Sequence, residues 1–197
     1  MSDLPEIPWF PLTTARLRLR VPLESDFEAI QAYAEDPEVV QFMLWGPNTR
    51  EDTARVLGEW IEAAKVWPRT GVSLIVERLS DAQVIGSVRL GYDPVHQQAD
   101  FGYTLAREAW GQGYGTEAAT AMIRVAFETL KAHRVFADCN VLNHRSWRIM
   151  EKLGMRREAT LIGSLNVRGV WRDTYVYAIL ADQWRARTGS GPAQDQG

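Results

Sequence analysis

"AREAWGQGYGTEAAT", residues 106–120, sets Gly111, Gly113 and Gly115 at alternate positions immediately before Thr116, Glu117 and an alanine-rich run. Beyond the glycines, Ala119, Met122, Ile123, Ala126, Phe127 and Leu130 recur at helical spacing. Thr120, Arg124, Glu128 and Lys131 fall on the opposite, wet side. Before them, "ADFGYTL" (residues 99–105) reads as a strand. A strand that passes through glycines into a helix presents backbone N–H groups with no intrahelical acceptor, and the macrodipole adds partial positive charge there. Glycine also permits positive φ and a close approach of ligand to backbone. The segment therefore reads as a phosphate cradle or, with nothing bound, as a glycine-rich connection. It is neither of two familiar loops. A Walker loop ends in Gly-Lys-Ser/Thr, whereas Gly115 precedes Thr116 and Glu117. A dinucleotide fingerprint needs G-x-G-x-x-G in a parallel βαβ unit, and here the spacing is G-x-G-x-G after an antiparallel meander.

Working outward, "RLRLRV" (residues 16–21) alternates with period two, so Leu17, Leu19 and Val21 face a core. Ser25 and Glu28 have the spacing of a capping box opening a helix with Phe27, Ile30 and Ala34, stopped before Pro37. Residues 43–48, "MLWGPN", form a turn-rich loop. Val56, Leu57, Trp60, Ile61 and Ala64 predict a second helix ending near Pro68. "SLIVERL" and "VIGSVRLGY", joined by "SDAQ", predict an antiparallel hairpin. After the central helix come a strand at residues 134–141 and a helix capped by Asn143 and closed by Gly154. Two further strands surround a turn at residues 166–169. The expected layout is an N-terminal extension (1–10), one domain (11–187) and a polar, glycine-rich disordered tail (188–197). No repeat or interior linker interrupts it.

The 197 residues suffice for one sizeable core, and 46% hydrophobic with 24% charged residues is an ordinary globular balance. A net charge of −3 gives no electrostatic basis for binding nucleic acid. The single cysteine, Cys139, excludes an intrachain disulfide and fits a reducing compartment. The first residues lack the basic and apolar regions of a secretory signal, and no apolar run reaches the roughly 18 residues that span a bilayer. The expectation is a cytoplasmic protein without membrane contact, as a monomer or homodimer.

"EAWGQGYGTEA" resembles the acyl-CoA pyrophosphate loop of the GNAT superfamily of N-acetyltransferases, especially the Rim-type branch that acetylates ribosomal-protein N-termini. "ADFGYTL" is similar to that branch's fourth strand, and "NVLNHRSWRIMEKLGM" to its fifth strand and following helix. "TTARLRLR" resembles the opening strand and "GVWRDTYVYAILADQW" the closing one, so the likeness spans roughly residues 11–184 in the expected order. The resemblance implies an α/β (α+β) fold, a mixed, mostly antiparallel sheet with helices on both faces and splayed fourth and fifth strands. It implies acetyl-CoA as co-substrate and an amine as acceptor. Carried over by position, Gln112, Gly113, Tyr114, Gly115 and Thr116 hold the pyrophosphate through backbone N–H groups. Thr104 and Leu105 bond the pantetheine amides, Asn143 contacts the pantetheine arm, and Ser146 lies near the thioester sulfur. Two positions depart from the superfamily pattern. The loop begins with Trp110, as is usual in the Rim-type branch, and the tyrosine many members use as general acid corresponds to Met150.

Acetyl transfer needs an unprotonated amine, stabilisation of developing negative charge on oxygen, and a proton for the departing thiolate. The resemblance implies direct transfer in a ternary complex. With Met150 unable to donate, Ser146 becomes the expected donor to the sulfur; as a third-position helix serine it also reads as a cap. Asp100 stands where the Rim-type branch carries an acidic residue facing the substrate, so it is read as the general base or as an exposed strand aspartate. Glu158 and Glu108 are weaker alternatives. His96, His133 and His144 form no pattern, and no metal-ligand spacing occurs, so no metal is expected. Cys139 reads as a small core residue. The acceptor is expected between the "FMLWGPN" and "YDPVHQQ" loops and the "NVRG" turn. A protein N-terminus, a small amine (amino acid, polyamine or antibiotic) and a silent acyl-CoA sensor all stay open.

Overall fold

A computed structural model describes residues 10–66 and 70–189. The first nine residues, the expected helix end at Pro68 and residues 190–197 of the tail lie outside the described residues. Thr188, placed at the start of the tail by composition, instead ends a helix that Gly189 closes at φ +69. Gly189 accepts that left-handed conformation without a Cβ penalty.

One eight-stranded sheet organises the chain, in the order β1-β2-β3-β4-β5-β6-β8-β7. Its strands are β1 Leu12–Thr13, β2 Leu17–Arg20, β3 Gly71–Arg78, β4 Val84–Asp93, β5 Gln98–Leu105, β6 Arg134–Asn140, β7 Arg156–Val167 and β8 Val170–Leu180. All neighbours pair antiparallel except β5 and β6, which are parallel. The helices are α1 Phe27–Ala34, α2 Pro37–Val40, α3 Arg50–Lys65, α4 Tyr114–Arg124, α5 His144–Lys152 and α6 Ala181–Thr188. The expected mixed sheet with helices on both faces is present.

Two apolar clusters explain the layers. Met122, Ile123 and Ala126 of the α4 segment, Met150 of α5 and Trp184 of α6 pack with Leu17, Leu74, Val88, Phe101 and Val135 on one face. Ile30, Tyr33, Val40 and Leu57 of α1–α3 pack against Ile75 on the other. Full burial of each large apolar side chain contributes about 1.5–3 kcal/mol.

The start of α1 differs from expectation. Asp26, rather than Ser25 or Glu28, closes the turn by accepting the Leu23 N–H at 2.8 Å. Asp26 is buried, and it is held there by the Arg20 guanidinium, which also pairs with buried Glu77 at 2.7 Å. The two carboxylates push the Arg20 pKa well above its ordinary value, with the Asp26 hydrogen bond the largest cause. Glu28 reaches outward to Arg50 instead. α3 is capped as the pattern allows, by Thr49 and Asp52 in a reciprocal box.

β5 and β6 are the strands that the resemblance calls the fourth and fifth, because β1 is counted here. They pair only at Gln98↔Arg134, Ala99↔Val135 and Asp100↔Phe136. Beyond these, Phe101–Leu105 and Ala137–Asn140 diverge, since each is held by its outer neighbour, β4 and β8 respectively. The divergence opens the sheet from within.

Candidate active site

The opened edge becomes one cleft of about 1280 Å³, running from the glycine loop past α5 to the loop before α3. At one end the chain turns through Gly111 (φ +74) and Gly113 (φ +85) into α4. The first intrahelical bond is Glu117 N–H to the Gly113 carbonyl at 3.1 Å. The N–H groups of Tyr114, Gly115 and Thr116 therefore point out of the helix end unused, as an anion cradle does. Gly115 has a packing reason as well: a Cβ there would stand 3.0 Å from Ile149 Cδ1 of α5.

The loop is fixed from a distant part of the chain. Arg16, between β1 and β2, pairs with Glu117 at 2.7 Å and donates to the Gln112 carbonyl at 2.9 Å. Its guanidinium lies over the Tyr114 ring at 4.5 Å. Glu117 also accepts from Thr14 Oγ1 and the Arg16 N–H. Burial raises the Glu117 carboxyl pKa, but these hydrogen bonds outweigh it and the net shift is downward. Trp110 supplies a second tie. Its Nε1–H donates to the Leu105 carbonyl at 2.9 Å, and the Arg145 guanidinium stacks on its ring at 4.3 Å. In the sequence Trp110 stands out only as a departure from the superfamily pattern. The 101-residue separation of Arg16 and Glu117 left no local signal.

Ala106 N–H bonds to the Ile85 carbonyl, and the register continues without a shift along β4 and β5. Alternation then turns the Leu105 and Tyr103 backbones toward the gap and the Thr104 backbone toward β4. The structure thus corrects the expectation for Thr104: its amide serves the sheet, while its side chain lines the cleft.

On α5, Asn143 caps the helix by accepting the Ser146 backbone N–H at 3.2 Å. The cap uses the Ser146 amide, so the hydroxyl is left for other work. Ser146 lies beside the Tyr103 hydroxyl and the Cys139 thiol in the cleft. The Tyr103 hydroxyl is buried, with Ser146 beside it but no hydrogen bond of good geometry among the described residues. Burial pushes Tyr103 up to about 12 and Cys139 up to about 11, with Ser146 opposing both shifts. Met150 is fully buried beneath them. The cleft thus has a free helix end at one end and a group of hydroxyl and thiol side chains, Tyr103, Ser146 and Cys139, further along it.

Asp100 pairs with Arg89 across β4 and β5. Glu158 is paired with Arg134 at 2.6 Å. His96 caps against Asp93, and His144 packs edge-on to Trp147. Among the described residues no group of His, Cys, Asp or Glu is arranged to hold a metal ion. No helix among them is long and apolar enough to cross a membrane.

A protonated thiol is a poor nucleophile, so Cys139 is expected to be spared by iodoacetamide at neutral pH. Cys139→Ala is expected to retain wild-type turnover. Rapid alkylation with loss of activity would refute that assignment, and intact-protein mass spectrometry reads it directly.

A splayed parallel pair and a free helix end behind glycines fit an acyl-CoA-dependent N-acyltransferase. The acetyltransferase (GNAT) domain family matches residues 16–156, and the chain belongs to that family. The uncharacterized N-acetyltransferase YnaD of Bacillus subtilis is 30% identical over 174 residues, covering 88% of this chain and 98% of that protein. The structure of a GNAT-family acetyltransferase from Bacillus anthracis matches with a TM-score of 0.78 at 28% identity, covering 86% of this chain and 98% of its own. Spermidine N-acetyltransferase from Vibrio cholerae, solved with CoA and spermine, shares the fold at a TM-score of 0.74 and 19% identity, over 87% of this chain and 99% of its own. The [ribosomal protein uS5]-alanine N-acetyltransferase of Escherichia coli is 32% identical over 83 residues, covering 42% of this chain and 43% of that protein. The chain is an acetyl-CoA-dependent N-acetyltransferase of α/β fold.

Proposed function

We propose that the acceptor is the α-amino group of a polypeptide and that the acetyl group passes to it directly, in a ternary complex. The observation that carries this reading is the charge state of the acceptor mouth. Glu38 pairs with Arg107 at 2.6 Å, Asp52 with Arg55 at 4.0 Å, and Asp100 with Arg89. A polyamine needs several unmatched carboxylates; of the four that line this cleft, Glu38, Asp52, Asp100 and Asp138, only Asp138 lacks an arginine partner among the described residues. The lip is apolar instead, with Leu44 66% and Trp45 40% exposed. Arg168, in the β7–β8 turn, donates to the Trp45 and Gly46 carbonyls, and Arg172 to Gln41. The turn thereby holds the lip over the cleft, and Trp171 stands exposed beside it. An apolar rim suits the side chains that follow a terminal amine in an extended peptide. The partial likeness to the uS5-alanine enzyme supports the same choice.

In this reading the backbone N–H groups from Gln112 to Thr116 hold the pyrophosphate, and the Leu105 amide and Asn143 hold the pantetheine arm. Ser146 donates to the departing sulfur, and Asp100 gathers the cationic amine while bound to Arg89. Thiol release from acetyl-CoA, measured against peptides with free N-termini, amino acids, polyamines and aminoglycosides, tests the proposal. Release is expected with peptides and is expected to vanish when their N-termini are blocked. Release with polyamines alone would overturn it.

A further inference from the structure

Alternation along the opened strands puts a second carboxylate on the same face as Asp100, two residues past its partner Phe136. Val88 and Leu90, Phe101, and Val135 and Ala137 all face the cluster under α4. Arg89, Asp100 and Asp138 therefore project from the other face, toward the acceptor side. That face is marked by Tyr33 of α1, whose hydroxyl meets Ser87 of β4 at 3.2 Å. Asp138 lies two residues beyond Phe136, the last β6 residue paired with β5. It is thus the first acceptor-side residue of β6 past the point where the strands part. It lines the same cleft as Ser146, Arg89 and Asp100.

The two aspartates differ in their engagement. Asp100 is committed to Arg89. Asp138 has no ion pair and no side-chain hydrogen bond to another residue among the described residues, and its surface is open to the cleft. The surrounding walls nevertheless remove enough solvent to push its carboxyl pKa up, against the attraction of Arg89 and of its own backbone N–H. Arg89 from β4 and Asp100 from β5 are the charged groups that face it. Tyr33 from α1 is pushed up to about 12 by burial and stays neutral. Across β8, Val176 is opposite, and Arg172 is occupied with Gln41.

We propose that Asp138 is the residue that takes the proton from the attacking amine, with Asp100 and Arg89 setting the charge around it. This rests on an amine acceptor, as proposed above. The ammonium N–H bond breaks and its proton passes to a carboxylate oxygen of Asp138. The freed nitrogen lone pair bonds to the acetyl carbon, and the carbon–sulfur bond breaks. The sulfur leaves with the second nitrogen proton, delivered past Ser146. Asp138 then returns its proton to solvent, so the step needs no further reactant. A carboxylate with an upward-shifted pKa is a better proton acceptor than one locked in an ion pair.

Asp138→Asn keeps the shape and removes the base. A peptide amine has a pKa of about 7.7–8.0, so it arrives charged in mild acid and neutral in mild alkali. The expected kcat/KM deficit is on the order of 100-fold at about pH 6.5, shrinking to about threefold or less at about pH 9.5. Acetyl-CoA affinity is expected to stay unchanged. Folding stability at neutral pH is not expected to fall, because a carboxyl whose folded pKa is raised costs stability once ionised. A deficit equal at every pH, or none, would overturn the proposal. A pH-dependent deficit in Asp100→Asn with a flat Asp138→Asn profile would assign the proton to Asp100 instead. If the wild type acetylates only alkyl monoamines, the peptide reading falls while this one is tested on that amine. The deficit then persists to about pH 10.4.

Discussion

Gly113→Glu is expected to lose the thermal stabilisation that acetyl-CoA gives the wild type. At about 100 times its dissociation constant, a ligand that binds only the folded state adds about 2.7 kcal/mol. Two features of Gly113 make this the most damaging position in the cradle. Its φ of +85 lies in the left-handed region, and a Cβ would stand 3.3 Å from Arg16 Nη2, the group that braces the loop. Glutamate also brings negative charge to a helix N-terminus that must accept phosphate. The Tm of the unliganded variant, measured alongside, separates this loss from damage to the fold. Gly113→Ala, without the charge, is expected to keep part of the gain. Equal stabilisation of wild type and Gly113→Glu would dismiss the phosphate-cradle assignment.

Ser146→Ala is expected to lower kcat by a factor on the order of 100, with acetyl-CoA affinity nearly intact. The structure sharpens the comparison, since the α5 cap is made by the Ser146 amide and Asn143 Oδ1. Alanine preserves that bond, so little change in Tm is expected. Asn143→Ala, which removes the cap itself, is expected to cost about 1 kcal/mol of stability. Normal turnover in Ser146→Ala would take the hydroxyl out of the reaction. The Tyr103 hydroxyl behind it is no source of a proton. At about 12 its pKa lies well above that of a thiol, near 8.5, and the Ser146 alcohol is a weaker acid still, so each hydroxyl can only hydrogen-bond the sulfur or pass on the amine's proton.

Legibility in the sequence tracked distance along the chain. Alternation showed β2, the β3–β4 hairpin and β5, and helical spacing showed α3 and α4, because these patterns repeat within a few residues. Gly154 and Asn143 marked the ends of α5 for the same reason. Ser25 and Glu28 misled because the local signal ignored Arg20, which draws Asp26 inward and makes it the turn's acceptor. The site was legible where it is local, at the glycine loop. The Arg16–Glu117 brace joins residues 101 apart, and the Arg89–Asp100 pair depends on a strand register that composition does not encode. Thr104 and Asp138 show the same limit. Which way a strand residue turns at the splay follows from where β5 leaves β6, a tertiary fact.

The most direct test of a polypeptide α-amine acceptor is where the acetyl group lands. A peptide bearing both a free N-terminus and an internal lysine, incubated with the enzyme and acetyl-CoA, is fragmented by tandem mass spectrometry. A single acetyl group on the α-nitrogen, absent when Gly113→Glu replaces the wild type, is the predicted result. Acetylation confined to the lysine side chain, or no acetylated peptide while a small amine is consumed, would contradict it.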